Sequence, residues 1–282
     1  MRSNWAFPKK KAEIDGWSRA GPVERSPMRT FVIADAHGYP ELIQNALDHG
    51  GFQPGQDAFV FAGDLLDRGP DVEGCIALVE THATEVLLGN HDVPVLLDLE
   101  LYPQDPESPT FQPFLWEKVL QADRSNAWKV ATCVEGVLIT HAGVSEEYRQ
   151  VFEGQCQADP ARLADHLNTV FLALVEREPR VSEWDDKGIL SEDGPFWFRP
   201  RPYSHLLPLA GCVQVVGHTP PISGLEASGF YMVDPCAFAG MDDLRRYRYG
   251  VIEDARIWIE EGTLPGASFA LRSKGLASAI CE

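Results

Sequence analysis

Residues Phe61 to Asp92 constrain the fold of this chain more than any other stretch. They open Phe61-Ala62-Gly63-Asp64-Leu65-Leu66-Asp67-Arg68-Gly69-Pro70 and close Leu88-Gly89-Asn90-His91-Asp92. The apolar runs Ala58 to Ala62 and Val86 to Leu88 each stop at a glycine, the pattern of buried strands in a parallel sheet. Between them, Pro70 to Thr81 carries Val72, Ile76 and Val79 at helical spacing behind an initiating proline. Strand, loop, helix, strand and loop make one βαβ unit. Residues just after its strands sit at the carboxyl edge of the sheet, where ligands bind. Asp64 and Asn90 are therefore expected to be close in space.

The same design recurs along the chain. Thr30 to Ala34 reads as a strand running into Asp35-Ala36-His37-Gly38. In extended backbone, residues i and i+2 share a face, so Asp35 and His37 should aim the same way. Val137 to Thr140 leads into His141-Ala142-Gly143, and Val213 to Val216 leads into Gly217-His218-Thr219. Helices are expected over Pro40–His49, Val93–Leu101, Phe114–Ala122 and Pro160–Glu178, the last with Leu163, Leu167, Val170, Phe171 and Leu174 on one face. Lys129–Val134 and Phe230–Val233 complete the inner strands, with Asp234 ending the second. Tyr249–Asp254 and Ala255–Glu260 read as an antiparallel pair. The fold class is α/β.

Five loops thus offer Asp35, His37, Asp64, Asn90, His141 and His218. The set is too rich for one four-coordinate zinc. It suits two metals sharing a carboxylate, with Asp64 as the natural bridge. Mixed imidazole and oxygen donors favour manganese, iron or zinc over magnesium or calcium. Paired metals roughly 3.5–4 Å apart can hold a hydroxide and clamp both oxygens of an in-line displacement at phosphorus. His91, beside a carboxylate and outside the ligand set, can be held protonated and serve as general acid, with Asp67 orienting it. The guanidinium fork of Arg68 suits a phosphoryl group. Taken singly, Arg68 reads as a loop salt bridge and Asp67 as a turn cap; taken with five ligand-bearing loops, they read as a site.

The remaining features set limits. With 42 acidic and 24 basic residues the net charge is -18, which argues against a nucleic-acid scaffold or an anionic membrane as partner. A phosphorylated protein or small phosphoester remains compatible, because bound divalent metals make a site locally positive. None of the six cysteines forms a CxxC, and several lie in apolar runs, so reduced thiols and a cytoplasmic location are expected. Residues 1–28 read as an arm, 29–262 as one domain with a lid-like insertion at about 152–209, and 263–282 as a tail. The insertion is rich in Trp, Pro and Gly around Gly194-Pro195-Phe196-Trp197-Phe198-Arg199.

These motifs resemble those of the calcineurin-like metallophosphoesterases, in their phosphoprotein phosphatase branch of bacterial type. The resemblance rests on Ala34-Asp35-Ala36-His37-Gly38, Gly63 to Gly69, Gly89 to Asp92, His141 to Gly143 and Gly217 to Thr219, and covers residues 29 to 255. It implies a four-layer α/β/β/α sandwich with two packed mixed sheets. It implies one metal on Asp35, His37 and Asp64 and a second on Asp64, Asn90, His141 and His218. It implies His91 as acid paired with Asp67, and phosphate contacts from Arg68, Asn90 and a second arginine. Arg199 is the candidate for that second arginine, since Trp197-Phe198-Arg199 resembles a stretch in bacterial members; Arg201 is the fallback. The implied reaction is hydrolysis of phosphomonoesters, phosphoserine and phosphothreonine in proteins first, by direct attack of a metal-bridging hydroxide.

Three positions depart from the family pattern. Ala34 replaces a glycine without touching a ligand. Asp234-Pro235-Cys236 replaces the usual Asp-Thr-Gly. Asp92 stands where eukaryotic protein phosphatases carry Glu, and an Asp there also occurs in the similar diadenosine tetraphosphate hydrolases. Asp67 before Arg68 fits the protein phosphatases, because the symmetrical dinucleotide hydrolases tend to have Ala. A nucleotide pyrophosphohydrolase is therefore the rival enzyme, and a metal-binding regulator without catalysis is the rival from another class.

Overall fold

The computed structural model describes residues 28–99, 104–121, 123, 126–148, 159–176, 188–201, 206–235 and 246–263. The expected arm and tail, and parts of the lid-like insertion, lie outside these residues, as do Cys156, Cys236 and Cys281. Two mixed sheets carry the fold. The first has five strands in the order β3 (Glu85–Leu87), β2 (Ala58–Ala62), β1 (Thr30–Ile33), β8 (Arg246–Glu253) and β9 (Arg256–Thr263). The second has four, in the order β4 (Ala131–Val134), β5 (Val137–Thr140), β6 (Gln214–Val216) and β7 (Phe230–Met232). β1, β2 and β3 run parallel, as do β5, β6 and β7; the other pairs are antiparallel.

Alternation along the strands builds the layers. On β1 and β2, Val32, Val60 and Ala62 point inward to meet Val137, Ile139 and Val215 of the second sheet. Phe31, Ile33, Phe59 and Phe61 point the other way, into the helix-facing core. All four are essentially buried, and each such side chain contributes about 1.5–3 kcal/mol. Helix α1 (Pro40–Gly50) covers them with Leu42, Ile43, Ala46 and Leu47 and ends at Gly51, whose φ of 61° is the left-handed cap that glycine adopts without strain. Helix α2 (Val72–His82) begins two residues later than the proline signal suggests. Asp71 caps it by accepting from the Gly74 amide at 2.8 Å, and Cys75 and Val79, one turn apart, form its buried side. Ile76 is not part of that side; Cys75 takes the place expected for it.

Short helices α3 (Asp92–Leu97) and α4 (Gln112–Val119) close one end of the sandwich. α3 stops at Asp98, earlier than its apolar run suggests. On the far face, α5 (Pro160–Glu176) lays Leu163, Leu167, Phe171 and Leu174 against the second sheet. Asn168 pins it there: its Oδ1 accepts from the amides of Val130 and Ala131, and its Nδ2 donates to the Ala131 carbonyl. Helix, sheet, sheet and helix give the expected four-layer α/β/β/α arrangement. No helix among the described residues is long and apolar enough to cross a membrane.

Candidate active site

The parallel strands of both sheets deliver their carboxyl ends to one place. The loops after β1, β2, β3, β5 and β6 carry Asp35 and His37, Asp64, Asn90, His141 and His218, and every one of these side chains is buried. The first two loops zip together through Asp35 N–H to Gly63 O, His37 N–H to Asp64 O and Gly38 N–H to Leu65 O, at 2.9–3.0 Å. Asp35 and His37 do converge, but not by strand alternation. Their φ values are 54° and 45°, left-handed rather than extended, and Asp64, Asp67, Arg68 and His218 share that region. Such conformations cost energy and persist where the surroundings over-determine them. Gly63 has no alternative: its φ is 94°, and a Cβ there would lie 2.7 Å from both the Gly89 amide nitrogen and His141 Nδ1.

Asp64 is the centre of the constellation. Its Oδ2 lies 3.2 Å from His37 Nε2 and 3.4 Å from His141 Nε2, and its Oδ1 accepts from the His91 amide at 2.9 Å. His141 Nε2 also lies 2.8 Å from Asn90 Oδ1. The other nitrogen of each ring is committed. His37 Nδ1 donates to the Leu66 carbonyl at 2.7 Å and His141 Nδ1 donates to the Ala62 carbonyl at 2.9 Å. A carbonyl only accepts, so in the neutral form of each ring the lone pair of Nε2 faces the site. The His218 amide donates to Asp35 Oδ2 at 2.9 Å, tying the second sheet to the first.

These atoms fit metal ions. His218 Nε2 is buried without a hydrogen-bond partner among the described residues, a costly state for a polar atom unless a cation takes its lone pair. His141 Nε2 faces two acceptor oxygens, which requires either a proton or a cation between them. Electrostatics agree. Burial pushes the Asp35 carboxyl well above its usual range, and Asp234 and Asp64 add to the push. Burial lowers His37 to about 4. Burial, with the charges of His141 and Arg199, holds His218 well below its usual value. Burial opposes charge on His141 too, but the charge and hydrogen bond of Asp64 raise it to about 9. For Asp64 burial works upward, and the facing imidazoles hold the carboxyl well below its usual range. Without metal, the Asp64 carboxylate favours the protonated form of His141.

Donor atoms of Asp35, Asp64 and His141 lie within 4.8 Å of one another, and so do those of His37, Asp64 and His91. Asp64 belongs to both groups, as a bridge must. The grouping differs from the implied ligand sets in placing Asp35 with His141 and His91 with His37. His91, however, is already engaged at both nitrogens. Its Nδ1 donates to Asp67 Oδ2 at 2.6 Å, and its Nε2 accepts from Arg68 Nη2 at 3.0 Å. Arg199 is exposed, but its Nη1 donates to the His218 carbonyl at 2.7 Å, and the Trp197 ring meets the His218 ring edge-on at 6.1 Å between centroids. The hydrogen bond places the Arg199 charge beside the last ligand loop. Arg201 is also exposed, and its backbone amide donates to the Leu206 carbonyl.

Two features escaped sequence reading. Asp92, read only as a marker of substrate class, is fully buried. Its Oδ2 accepts from the amides of Asp64 and Gly89 at 2.9 Å, and its Oδ1 from those of Leu65 and Leu66 at 3.0 and 3.1 Å. It buttresses the loop that carries Asp64, and nothing in this geometry turns it toward a substrate. No local signal marks this role, since three of the four amides come from the loop that carries Asp64. The second feature is the segment around Asp105 and Ser108, which reaches Asp67 from a stretch whose prolines hid any pattern.

The profile of the calcineurin-like phosphoesterase family matches residues 28–251. The chain is 40% identical over 62 residues to a serine/threonine-protein phosphatase 1 of Salmonella typhimurium, which is 22% of this chain and 29% of that protein. It is 31% identical over 127 residues to a symmetrical bis(5'-nucleosyl)-tetraphosphatase of Glaesserella parasuis, 43% of this chain and 47% of the relative. The chain thus spans less than half the length of these two relatives. Among solved structures, a cold-active protein tyrosine phosphatase superposes with a TM-score of 0.59 at 18% identity, over 84% of this chain and 79% of the other. That last likeness is one of fold.

Proposed function

This chain belongs to the calcineurin-like phosphoesterase family, and we propose that it hydrolyses phosphomonoesters, with phosphoserine and phosphothreonine in proteins as the substrate class. The observation that carries the reading is Asp67 on one nitrogen of His91, with Arg68 on the other, beside a cluster of metal-type donors. In this reading Asp35, His37 and Asp64 hold one divalent ion, and Asp64, Asn90, His141 and His218 hold another. Manganese is the first choice and iron or zinc the next. When bound, the ions supply positive charge to the phosphoryl oxygens and make water acidic enough to act as a nucleophile near neutral pH.

The chain's own residues do the rest. Arg68 turns from His91 Nε2 to the phosphoryl oxygens, which its fork geometry matches, and Arg199 and Asn90 take other oxygens. The ring nitrogen that Arg68 vacates takes up a proton from solvent and gives it to the departing alkoxide, leaving the ring neutral again. Asp67, on the opposite nitrogen, orients the ring and stabilises its charged form. The described part of the lid-like insertion supports its place as a wall of the site: Ala142 N–H donates to Pro195 O, and Leu209 N–H to Val144 O. The thiols of Cys75, Cys133 and Cys212 are free, which supports a cytoplasmic setting.

A second reading, symmetrical dinucleoside tetraphosphate hydrolysis, has its own support. Relatives with that name match 127 to 167 residues of this chain, against 62 for the Salmonella protein phosphatase. The test is side-by-side hydrolysis of a phosphothreonine peptide and diadenosine tetraphosphate by chelator-treated protein reloaded separately with manganese, iron and zinc. Phosphate release from the peptide is expected to exceed ADP release from the dinucleotide. The opposite preference would move the chain to the second reading.

A further inference from the structure

Ser108 opens a short 3-10 turn, Ser108–Phe111, that lies against the Asp67–Arg68 loop. Its amide donates to the Asp105 carbonyl at 2.9 Å, closing the turn Asp105-Pro106-Glu107-Ser108. That turn grips the loop at three points. Asp105 Oδ2 accepts from the Arg68 amide at 2.8 Å, the Asp105 amide donates to Asp67 Oδ1 at 3.1 Å, and the Ser108 hydroxyl donates to the same Oδ1 at 2.5 Å. Ser108 and Asp67 are 2% and 4% exposed, so water does not compete for this bond. The two oxygens of Asp67 are thus divided: Oδ2 serves His91 and Oδ1 is anchored from behind.

We propose that Ser108 is a positioning residue for the hydrolytic reaction, fixing the plane of the Asp67 carboxylate so that Oδ2 holds His91 in line with the leaving oxygen. The terminal torsion of an aspartate is broad, so one oxygen held by an imidazole does not by itself set the carboxylate plane. The Ser108 hydroxyl, together with the Asp105 amide, holds the other oxygen and sets that plane; hydrogen bonds to a carboxylate are among the stronger ones available to a protein. Burial pushes the Asp67 carboxyl up, but the hydrogen bonds from His91 and Ser108 more than offset this and keep it below its usual range. The carboxylate therefore stays charged where His91 needs it. The inference rests on His91 being the general acid.

The experiment compares an alkyl phosphomonoester with p-nitrophenyl phosphate, whose leaving group needs no proton, in metal-loaded protein. Ser108→Ala removes one oxygen from a buried position, and Ser108→Cys keeps the bulk with a much weaker donor. Either variant is expected to lose about tenfold on the alkyl ester and less than about twofold on the aryl ester. In an Asp67→Asn background, Ser108→Ala is expected to add no further loss on the alkyl ester. Equal losses on both substrates, no loss on either, or an undiminished loss in the Asp67→Asn background would each overturn the proposal. His91→Ala in the same assay separates the two ideas. If His91→Ala discriminates between the esters and the Ser108 variants do not, only the Ser108 proposal fails. If His91→Ala does not discriminate, the general-acid reading fails first.

Discussion

His91→Ala is expected to lower turnover of an alkyl phosphomonoester by roughly 10²–10⁴-fold, and that of p-nitrophenyl phosphate by less than about tenfold. An alkoxide is a poor leaving group and needs a proton as the bond to phosphorus breaks; nitrophenolate leaves without one. In the proposed reading His91 gives that proton. Asp67 holds Nδ1 at 2.6 Å, which fixes the ring and leaves Nε2 as the reactive nitrogen. Arg68 occupies Nε2 at 3.0 Å in this state, so under the proposed reading His91 can act as acid only after Arg68 moves onto the phosphoryl group. The measurement is kcat for both esters across a series of leaving groups. Losses that do not depend on the leaving group would remove His91 from the role of acid and leave it as a phosphate contact.

Asp92→Ala is expected to destabilise the chelator-treated protein by about 1–3 kcal/mol, the cost of leaving buried backbone donors without their acceptor. Four amides, those of Asp64, Leu65, Leu66 and Gly89, would lose their acceptor inside a closed site. Burial and the neighbouring Asp64 raise the Asp92 carboxyl to about 6, and the amides of Gly89 and Leu66 restrain that rise. Asp92→Asn retains one acceptor oxygen but sets its NH₂ against two of the amides, so it should fall between wild type and alanine. Urea denaturation of the three proteins checks the order. A change below about 1 kcal/mol for alanine would mean that those amides find other partners.

Much of this was legible in the sequence because it depends on strand order alone. An apolar run that stops at a small residue and then shows Asp, Asn or His is a local pattern, and parallel pairing of β1 with β2 and β2 with β3 gathers those ends whatever the loops do. The same pattern at the ends of β5 and β6 in the second sheet adds His141 and His218, so the six ligand-type residues were readable, and so was the pairing of Asp67 with His91. The reason given for Asp35 and His37 was wrong in detail, because left-handed φ values at both turn the side chains inward where an extended strand was expected. Periodicity carries no sign of such values in non-glycine residues. Asp92 was misjudged because a motif shows which residue follows Asn90 and His91 but not how many backbone amides converge on it. Ser108 was invisible for another reason. Its partner, Asp67, is 41 residues away, and the contact depends on a proline-rich turn folding back rather than on any repeat.

In the proposed reading, five loops make one two-metal site that shares Asp64. Titration of chelator-treated protein with manganese, followed calorimetrically, tests it most directly. About two ions bound per chain are expected, about one after His218→Ala, and neither in folded Asp64→Ala. A single ion per chain, or two ions retained by Asp64→Ala, would contradict it.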